Sequence, residues 1–333
     1  MIRPIPLLVI NSTFMKQFAA GIDIGGTNSK FGIVNRKGEI LEQDRLPTHE
    51  YEMVEDFIEA LYARLMPMIL RHGAIKDFAG IGMGAPNGNF YTGTIEYAPN
   101  LKWKGIIPIA DMIEKKFGLL TRLTNDANAA AVGEMMYGCT KGIGHFITIT
   151  LGTGVGSGIV IDGKIVLGHD GFAGELGHTI IRPGGRLHKG TGRRGSLESY
   201  ASSTGVRDTA LELLTEHPGV ESLLHNYSIN ELTSETVYDC AIKGDKIANQ
   251  IFEFTGQVLG ESLANFVMFS SPEVIVLFGG LSKAGDLILK PTKKHMEANL
   301  LPIFQNKVKL LISELKEADA AILGAGALVW KTK

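Results

Sequence analysis

Twice in this chain a run of residues reads strand, glycine turn, strand, turn, strand. The first copy extends from Phe18 to Leu46, with Gly25-Gly26 at its first hairpin and Arg36-Lys37-Gly38 at its second. The second extends from His145 to Val166, with Leu151-Gly152-Thr153-Gly154-Val155-Gly156 at its first hairpin and Asp162-Gly163 at its second. Each is an antiparallel meander of three short strands. Two copies with glycines at the same hairpin predict two similar α/β lobes facing each other across a cleft.

The segments between the copies read as α/β lobes as well. Tyr51 to Arg71 places Val54, Phe57, Ile58, Leu61 and Leu65 at helical spacing. Ile81 to Gly84 is a short buried strand ending in the loop Ala85-Pro86-Asn87-Gly88-Asn89. Ile107 to Phe117 is a helix, and Thr121 to Thr124 a strand that delivers Asp126 to its carboxyl end. Beyond Gly195 the chain is helical through Tyr200, Val206 to Glu216, Thr233 to Lys243 and Lys246 to Phe269. A buried strand, Glu273 to Phe278, ends in Gly279-Gly280. Ala318 to Trp330 is small and apolar, suited to a closely packed helix that returns to the first lobe. The expected division is 18–124 plus about 318–333 for the first lobe and 125–317 for the second.

The 333 residues are enough for two domains, and 44% apolar against 20% charged residues allows a sizeable core with no segment disordered by composition. A net charge of −2 argues against a nucleic-acid partner, which needs a Lys/Arg excess. The two cysteines, Cys139 and Cys240, have no CxxC spacing and fit a reducing, cytoplasmic setting. No run of eighteen apolar residues exists, so no membrane span is expected. Pro6 to Ile10 is too short for the core of a signal peptide, and no small-x-small cleavage site follows it. Residues 1–17 are read as a disordered or non-native extension, with Met15 as an alternative start.

Two segments carry the chemistry. Asp23-Ile24-Gly25-Gly26-Thr27 sets a carboxylate before a glycine turn, where backbone N–H groups approach phosphate oxygens and Thr27 adds a hydroxyl. Asn125-Asp126-Ala127-Asn128-Ala129 holds the one carboxylate of the stretch between Leu123 and Glu134. A carboxylate beside an acceptor hydroxyl, with a glycine hairpin on the phosphate, is what phosphoryl transfer requires. Either glycine segment alone reads equally well as an ordinary tight turn, and Asn125 as a helix cap. The pairing of the first hairpin with Gly152, Thr153, Gly154 and Gly156 of the second makes a phosphate clamp from both sides. No GxxxxGK[ST] occurs, which excludes a P-loop. Gly190 to Gly195 fits GxGxxG but follows a Pro-Gly-Gly loop rather than a strand, so it is not a dinucleotide site.

From about Phe18 to Trp330 the chain resembles the ROK group of sugar kinases and sugar-responsive repressors. That group lies within the hexokinase–actin–Hsp70-like ATPase superfamily. The resemblance rests on Asp23 to Thr27, Ala98-Pro99-Asn100-Leu101 with Trp103, Asn125 to Ala129 and Gly152 to Gly156. Gly174-Glu175-Leu176-Gly177-His178, Gly195-Ser196-Leu197-Glu198 and Gly279-Gly280 complete it. It implies a two-lobed ribonuclease H-like (actin-like ATPase) fold with a central cleft and a glucokinase-like activity, ATP phosphorylating the 6-hydroxyl of a hexose. Asp126 would be the catalytic base, and Asn100, Asn125, Glu175, His178 and Glu198 would hold the sugar hydroxyls. Gly279 and Gly280 would lie against adenosine, and the Mg²⁺ carried by ATP would be held near Asp23, through water. A homodimer is also implied.

The chain departs from its group at one place. Many ROK proteins carry CxCGxxGC between the GELGH motif and the sugar-binding Glu, forming a structural zinc site with the His. Here the cysteine positions are Lys189, Thr191 and Ser196, and a lone His178 cannot hold tetrahedral zinc, even with His188 nearby. No zinc is expected, which leaves open how the Pro183 to Gly195 loop is ordered. A kinase of N-acetylhexosamine, mannose or fructose is the alternative within the class. Repressors of the group carry a helix-turn-helix domain before the first hairpin, for which 22 residues leave no room. Retention of Asp23, Asp126 and both hairpins argues against an inactive sugar-binding relic.

Overall fold

The computed structural model describes residues 16–330. The expectation of an extension at 1–17 falls outside them except at Lys16 and Gln17, and these two are tied down. The Lys16 carbonyl accepts from Arg36 Nε at 2.8 Å, and the Gln17 N–H donates to the Asp77 carbonyl at 2.9 Å.

The first lobe opens with the expected meander, β1 (Phe18–Ile24), β2 (Ser29–Asn35) and β3 (Ile40–Leu46). Helix α1 (Val54–His72) buries Val54, Phe57, Ile58, Leu61 and Leu65 on one face, the set its spacing selects. Strand β4 (Phe78–Ala85) is buried at every position, as a parallel strand covered on both faces must be. A two-strand ribbon, β5 (Ile95–Glu96) and β6 (Ile106–Ile107), precedes α2 (Ile109–Phe117). The helix therefore begins two residues later than expected, with Pro108 at its N-cap and Ile107 paired to Ile95. Strand β7 (Thr121–Asn125) follows and runs directly into α3 (Asp126–Tyr137). The sheet order is β3-β2-β1-β4-β7, with Phe31, Phe57, Phe78 and Phe117 fully buried beside it.

The second lobe repeats this topology. Strands β8 (Phe146–Leu151), β9 (Val155–Ile161) and β10 (Lys164–Ile165) form its meander. Helices α4 (Glu198–Ala201), α5 (Ser203–Glu216), α6 (Ser234–Ile242) and α7 (Lys246–Ser270) lead to β11 (Val274–Phe278), α8 (Asp286–Asn299) and β12 (Lys309–Ile312). The order β10-β9-β8-β11-β12 matches the first sheet strand for strand, with antiparallel hairpins and parallel later pairs in both. Helix α9 (Glu317–Ala327) returns to the first lobe and packs on β1, β4 and α3.

Helix α3 lies between the sheets, sharing one apolar cluster with α9 and β1 through Val132 and another with β8, β9 and β11 through Ala131. A second link sits at one rim. Asn89 Nδ2 donates to the Asp170 carbonyl at 2.8 Å, and Tyr91 O–H to the Gly168 carbonyl at 2.9 Å. Sequence reading had not separated out α8 or β12. The first contains Pro291 and follows a glycine N-cap, and the second is four residues long.

Candidate active site

A cleft of about 820 Å³ opens between the two sheets, and the β7–α3 junction forms its floor. Asn125 is the N-cap of α3, its Oδ1 accepting the Ala127 N–H at 2.8 Å. The capping role thus uses only the carbonyl oxygen of the amide. Asp126 is the first residue of the helix, and its Oδ1 accepts the same N–H at 2.8 Å. Its side chain is open to the cleft, yet protein closes around it on the other sides. That enclosure raises the carboxyl above the ordinary aspartate range, against the pull of the N–H groups of Ala127 and Asp126 itself.

Asp23, at the end of β1, lies behind Asp126. Gly84 separates them, flanked by the Cα of Asp126 and Oδ1 of Asp23. Burial, and then the charge of Asp126, push the Asp23 carboxyl up to about 6, with Lys30 pulling it down. A buried carboxylate whose ionisation is opposed by a second one at the cleft floor is a site that a cation relieves. Mg²⁺ fits such a site, because it keeps most of its water and takes one or two carboxylates in addition to phosphate oxygens.

The second lobe builds the opposite wall. Ser157 Oγ donates to the Gly174 carbonyl and accepts the Leu176 N–H at 3.3 Å, which pins the 174–178 loop to β9. On that loop Glu175 Oε2 lies 3.9 Å from His178 Nε2. The Glu175 carboxyl is raised by burial above all; His178 lowers it, and Asp126 and Glu198 raise it further. Glu198 begins α4 with 14% of its side chain exposed. Its Oε2 accepts the Val155 N–H at 2.7 Å, and its Oε1 lies 2.7 Å from His188 Nε2. A Cβ at Gly154 would stand 2.4 Å from Glu198 Oε2, so only glycine lets this carboxylate lie on the hairpin.

The loop between Pro183 and Gly195 is ordered by side chains that the sequence did not single out. Arg186 reaches under it, with Nη1 donating to the carbonyls of Ser199 at 2.7 Å and Gly205 at 3.0 Å. Its Nε donates to Glu212 Oε1 at 2.9 Å, and the guanidinium lies 4.6 Å from the centre of the Tyr200 ring. The Tyr200 hydroxyl in turn accepts the Arg186 N–H at 2.8 Å. Nothing in the local pattern flags this arginine, because its partners are 13 to 26 positions away. Lys189, Thr191 and Ser196 offer no thiolate or imidazole, and the three do not fit zinc. Ser196 Oγ is paired with Ser199 Oγ at 2.8 Å and Thr191 Oγ1 with His188 Nδ1 at 2.9 Å. Among the described residues no three His, Cys, Asp or Glu side chains are grouped to hold a metal.

Asn100 reaches the cleft from the first lobe, and Asn125 and Asp126 reach it from the β7–α3 junction between the sheets. Gly152, Thr153, Gly154 and Gly156, with Glu175, His178, Glu198 and Gly279, reach it from the second lobe. Asp23, Gly25, Gly26, Thr27 and Gly280 are not on its wall; Gly26 packs instead against the backbone of Asn100. None of the five glycines of the two hairpins has positive φ. They serve close approach. Two other glycines of the cleft do have positive φ, Gly174 at 98° and Gly279 at 100°.

The ROK family profile matches residues 19–332. A glucokinase of Halalkalibacterium halodurans is 38% identical over 93% of this chain and 94% of its own. A xylose repressor of Caldicellulosiruptor bescii is 29% identical over 93% of this chain, but only 77% of the repressor is covered. Among solved structures, a ROK family glucokinase from Streptomyces griseus in complex with glucose and AMPPNP superposes with a TM-score of 0.78. It is 30% identical, over 93% of this chain and 98% of that one. Among the described residues no helix is long and apolar enough to cross a membrane.

Proposed function

We propose, from the premise that this chain belongs to the ROK family, that it is a sugar kinase transferring the γ-phosphoryl group of ATP to the 6-hydroxyl of glucose. The observation that carries the reading is Asp126, a carboxylate at the floor of a cleft whose far wall carries Glu175, His178 and Glu198. The sugar's 6-oxygen attacks the γ-phosphorus while Asp126 accepts its proton. The bond from the γ-phosphorus to the β–γ bridging oxygen breaks, and ADP leaves. A carboxyl raised above the ordinary aspartate range is a better base than an ordinary aspartate, as general base catalysis requires. Asn100, Asn125, Glu175, His178 and Glu198 offer the donors and acceptors that a polyol needs on several sides.

The nucleotide would lie between the hairpins, with its adenosine against Gly279 and Gly280 and its phosphates on Gly152 to Gly156. Bound Mg²⁺ supplies charge neutralisation on the phosphates, and Asp23 would hold it through water. Since Gly25, Gly26 and Thr27 lie off the cleft wall, closure of the lobes is the motion that would bring them to the phosphates and exclude competing water. The chain would work in the cytoplasm as a homodimer, without structural zinc and without nucleic acid or membrane as partner. Sedimentation and elemental analysis check the dimer and the zinc.

A coupled ADP-release assay over glucose, mannose, fructose, glucosamine and N-acetylated hexoses tests the reaction. Glucose is expected to give the highest kcat/KM, and ATP hydrolysis without sugar to be very slow. Rapid sugar-independent hydrolysis with no hexose phosphorylated would overturn the reading.

A further inference from the structure

We propose that His188 is the positioning residue for Glu198, holding with an imidazole the carboxylate on the sugar-facing wall. This rests on the reading of Glu198 as a sugar-binding group. The imidazole is oriented from its other side. The Thr191 N–H donates to His188 Nδ1 at 3.2 Å, and the Thr191 hydroxyl lies 2.9 Å from the same nitrogen. A nitrogen that accepts from a backbone N–H is unprotonated, so in the neutral ring the proton sits on Nε2, which lies 2.7 Å from Glu198 Oε1. The ring therefore donates a charge-assisted hydrogen bond to the carboxylate.

The backbone around His188 is closed as firmly. The His188 N–H donates to the Arg193 carbonyl at 2.8 Å, and the His188 carbonyl accepts the Gly192 N–H at 2.9 Å. Arg186, two residues earlier, fixes the base of the loop to α4 and α5. Glu198 is thus gripped at both oxygens, by His188 from the loop and by the Val155 N–H from the hairpin. Its remaining lone pairs are the ones available to sugar hydroxyls. His178 stacks edge-on against His188, with ring centres 5.9 Å apart. The two histidines each stand beside one carboxylate, Glu175 for His178 and Glu198 for His188. Loss of the His188 imidazole frees one oxygen of Glu198 to rotate out of the geometry that meets the sugar, while leaving Asp126 in place.

Two variants separate positioning from bulk. Glutamine can place its amide nitrogen near the position of Nε2, whereas the shorter asparagine reaches only the position of Nδ1. His188→Asn is expected to raise KM for glucose about tenfold, the loss of one hydrogen bond to a charged group, with kcat within about threefold and KM for ATP unchanged. His188→Gln is expected to stay within about threefold of wild type in all three constants, by the same principle. Hydrogen exchange in the sugar-free protein gives a readout independent of activity. The Val155 amide, which donates to Glu198, should exchange on the order of tenfold faster in His188→Asn than in His188→Gln. Equal exchange and equal KM in the two variants would overturn the proposal. A shift in exchange together with no hexose turnover by the wild type would leave the positioning intact and refute the sugar-binding role of Glu198.

Discussion

Asp23 and Thr150 occupy the same place in two sheets of the same strand order. Each is the penultimate residue of the first strand of a meander, followed by an apolar residue and a glycine hairpin. Their surroundings differ. Thr150 Oγ1 accepts the Gly156 N–H at 3.1 Å and so closes its own hairpin. Asp23 lies beside Asp126, and its carboxyl is pushed up to about 6 by burial and by that neighbour. The asymmetry originates two strands away in each sheet. In the first sheet β7 runs straight into α3, which sets Asp126 at the cleft; in the second, β12 ends at Ile312, and the next residue, Ser313, is paired with Glu134 of α3. Duplicated topology therefore supplies two glycine hairpins in equivalent places, and the start of α3 after β7 supplies the charge beside the first. On the proposed function, the side of the cleft formed by β1 and the β7–α3 junction is the chemical half and the second sheet the grip.

The most severe test of that division is Asp126→Asn, which keeps the shape and the N-terminal position of α3. We expect kcat to fall by about 10²–10⁴, the range for a lost general base, while glucose binding by calorimetry stays within about threefold. Near-normal turnover would erase the distinction between the two sides.

Asp23→Asn should come next. If Asp23 holds the nucleotide's metal through water, turnover should fall about 10- to 100-fold, as for an outer-shell ligand, and the Mg²⁺ concentration for half-maximal rate should rise. The same variant has an opposite effect on stability. The unfolded chain ionises Asp23 near 3.8 and the folded chain near 6, so between those values the folded state binds more protons and stability falls as pH rises. Above about pH 6 the full penalty is present, roughly 2–3 kcal/mol from the size of the shift at 1.36 kcal/mol per unit. Asp23→Asn should therefore melt several degrees higher than wild type at pH 8, and the gain should shrink toward pH 4. A gain that did not depend on pH would mean that burial and the charge of Asp126 do not raise the Asp23 carboxyl in the folded chain.

How much of this was legible in the sequence depends on where the stabilising partner lies. The meanders were readable because hairpin glycines and strand alternation are local, and α1 because its apolar face has a regular period. Asp126, Glu175 and Glu198 meet from positions up to 72 residues apart, and only the resemblance to a family brought them together before the fold did. The hairpin glycines were readable as places of close backbone approach, but that Gly154 is required by Glu198, a partner 44 residues away, was not. Arg186 and His188 were not readable at all as anchors of their loop, since an arginine under a loop acquires meaning only from the Tyr200 ring and the carbonyls it meets. Helix α8 was missed for a local reason: Pro291 breaks its pattern, although the ring packs against Gly256 of α7 and so belongs to the core.

The smallest expected effect belongs to Thr150→Val, and it decides whether the comparison is sound. Valine keeps the β-branched shape that suits a strand and removes only the oxygen that accepts the Gly156 N–H. That N–H borders the cleft, where water can replace the lost acceptor, so the hairpin should loosen by no more than about 1 kcal/mol. A looser hairpin weakens the grip on phosphate without touching the proton transfer. The expected result is a KM for ATP raised less than about fivefold, with kcat within about twofold of wild type, the span that 1 kcal/mol allows. The pH dependence of kcat should be unchanged, since no titrating group has been removed and Asp23 still faces Asp126. Steady-state kinetics of Thr150→Val beside Asp23→Asn from pH 5 to 9 make the measurement. A loss of turnover in Thr150→Val as deep as in Asp23→Asn would place the two hairpins on equal chemical footing, and the charge at the first would then be incidental to the reaction.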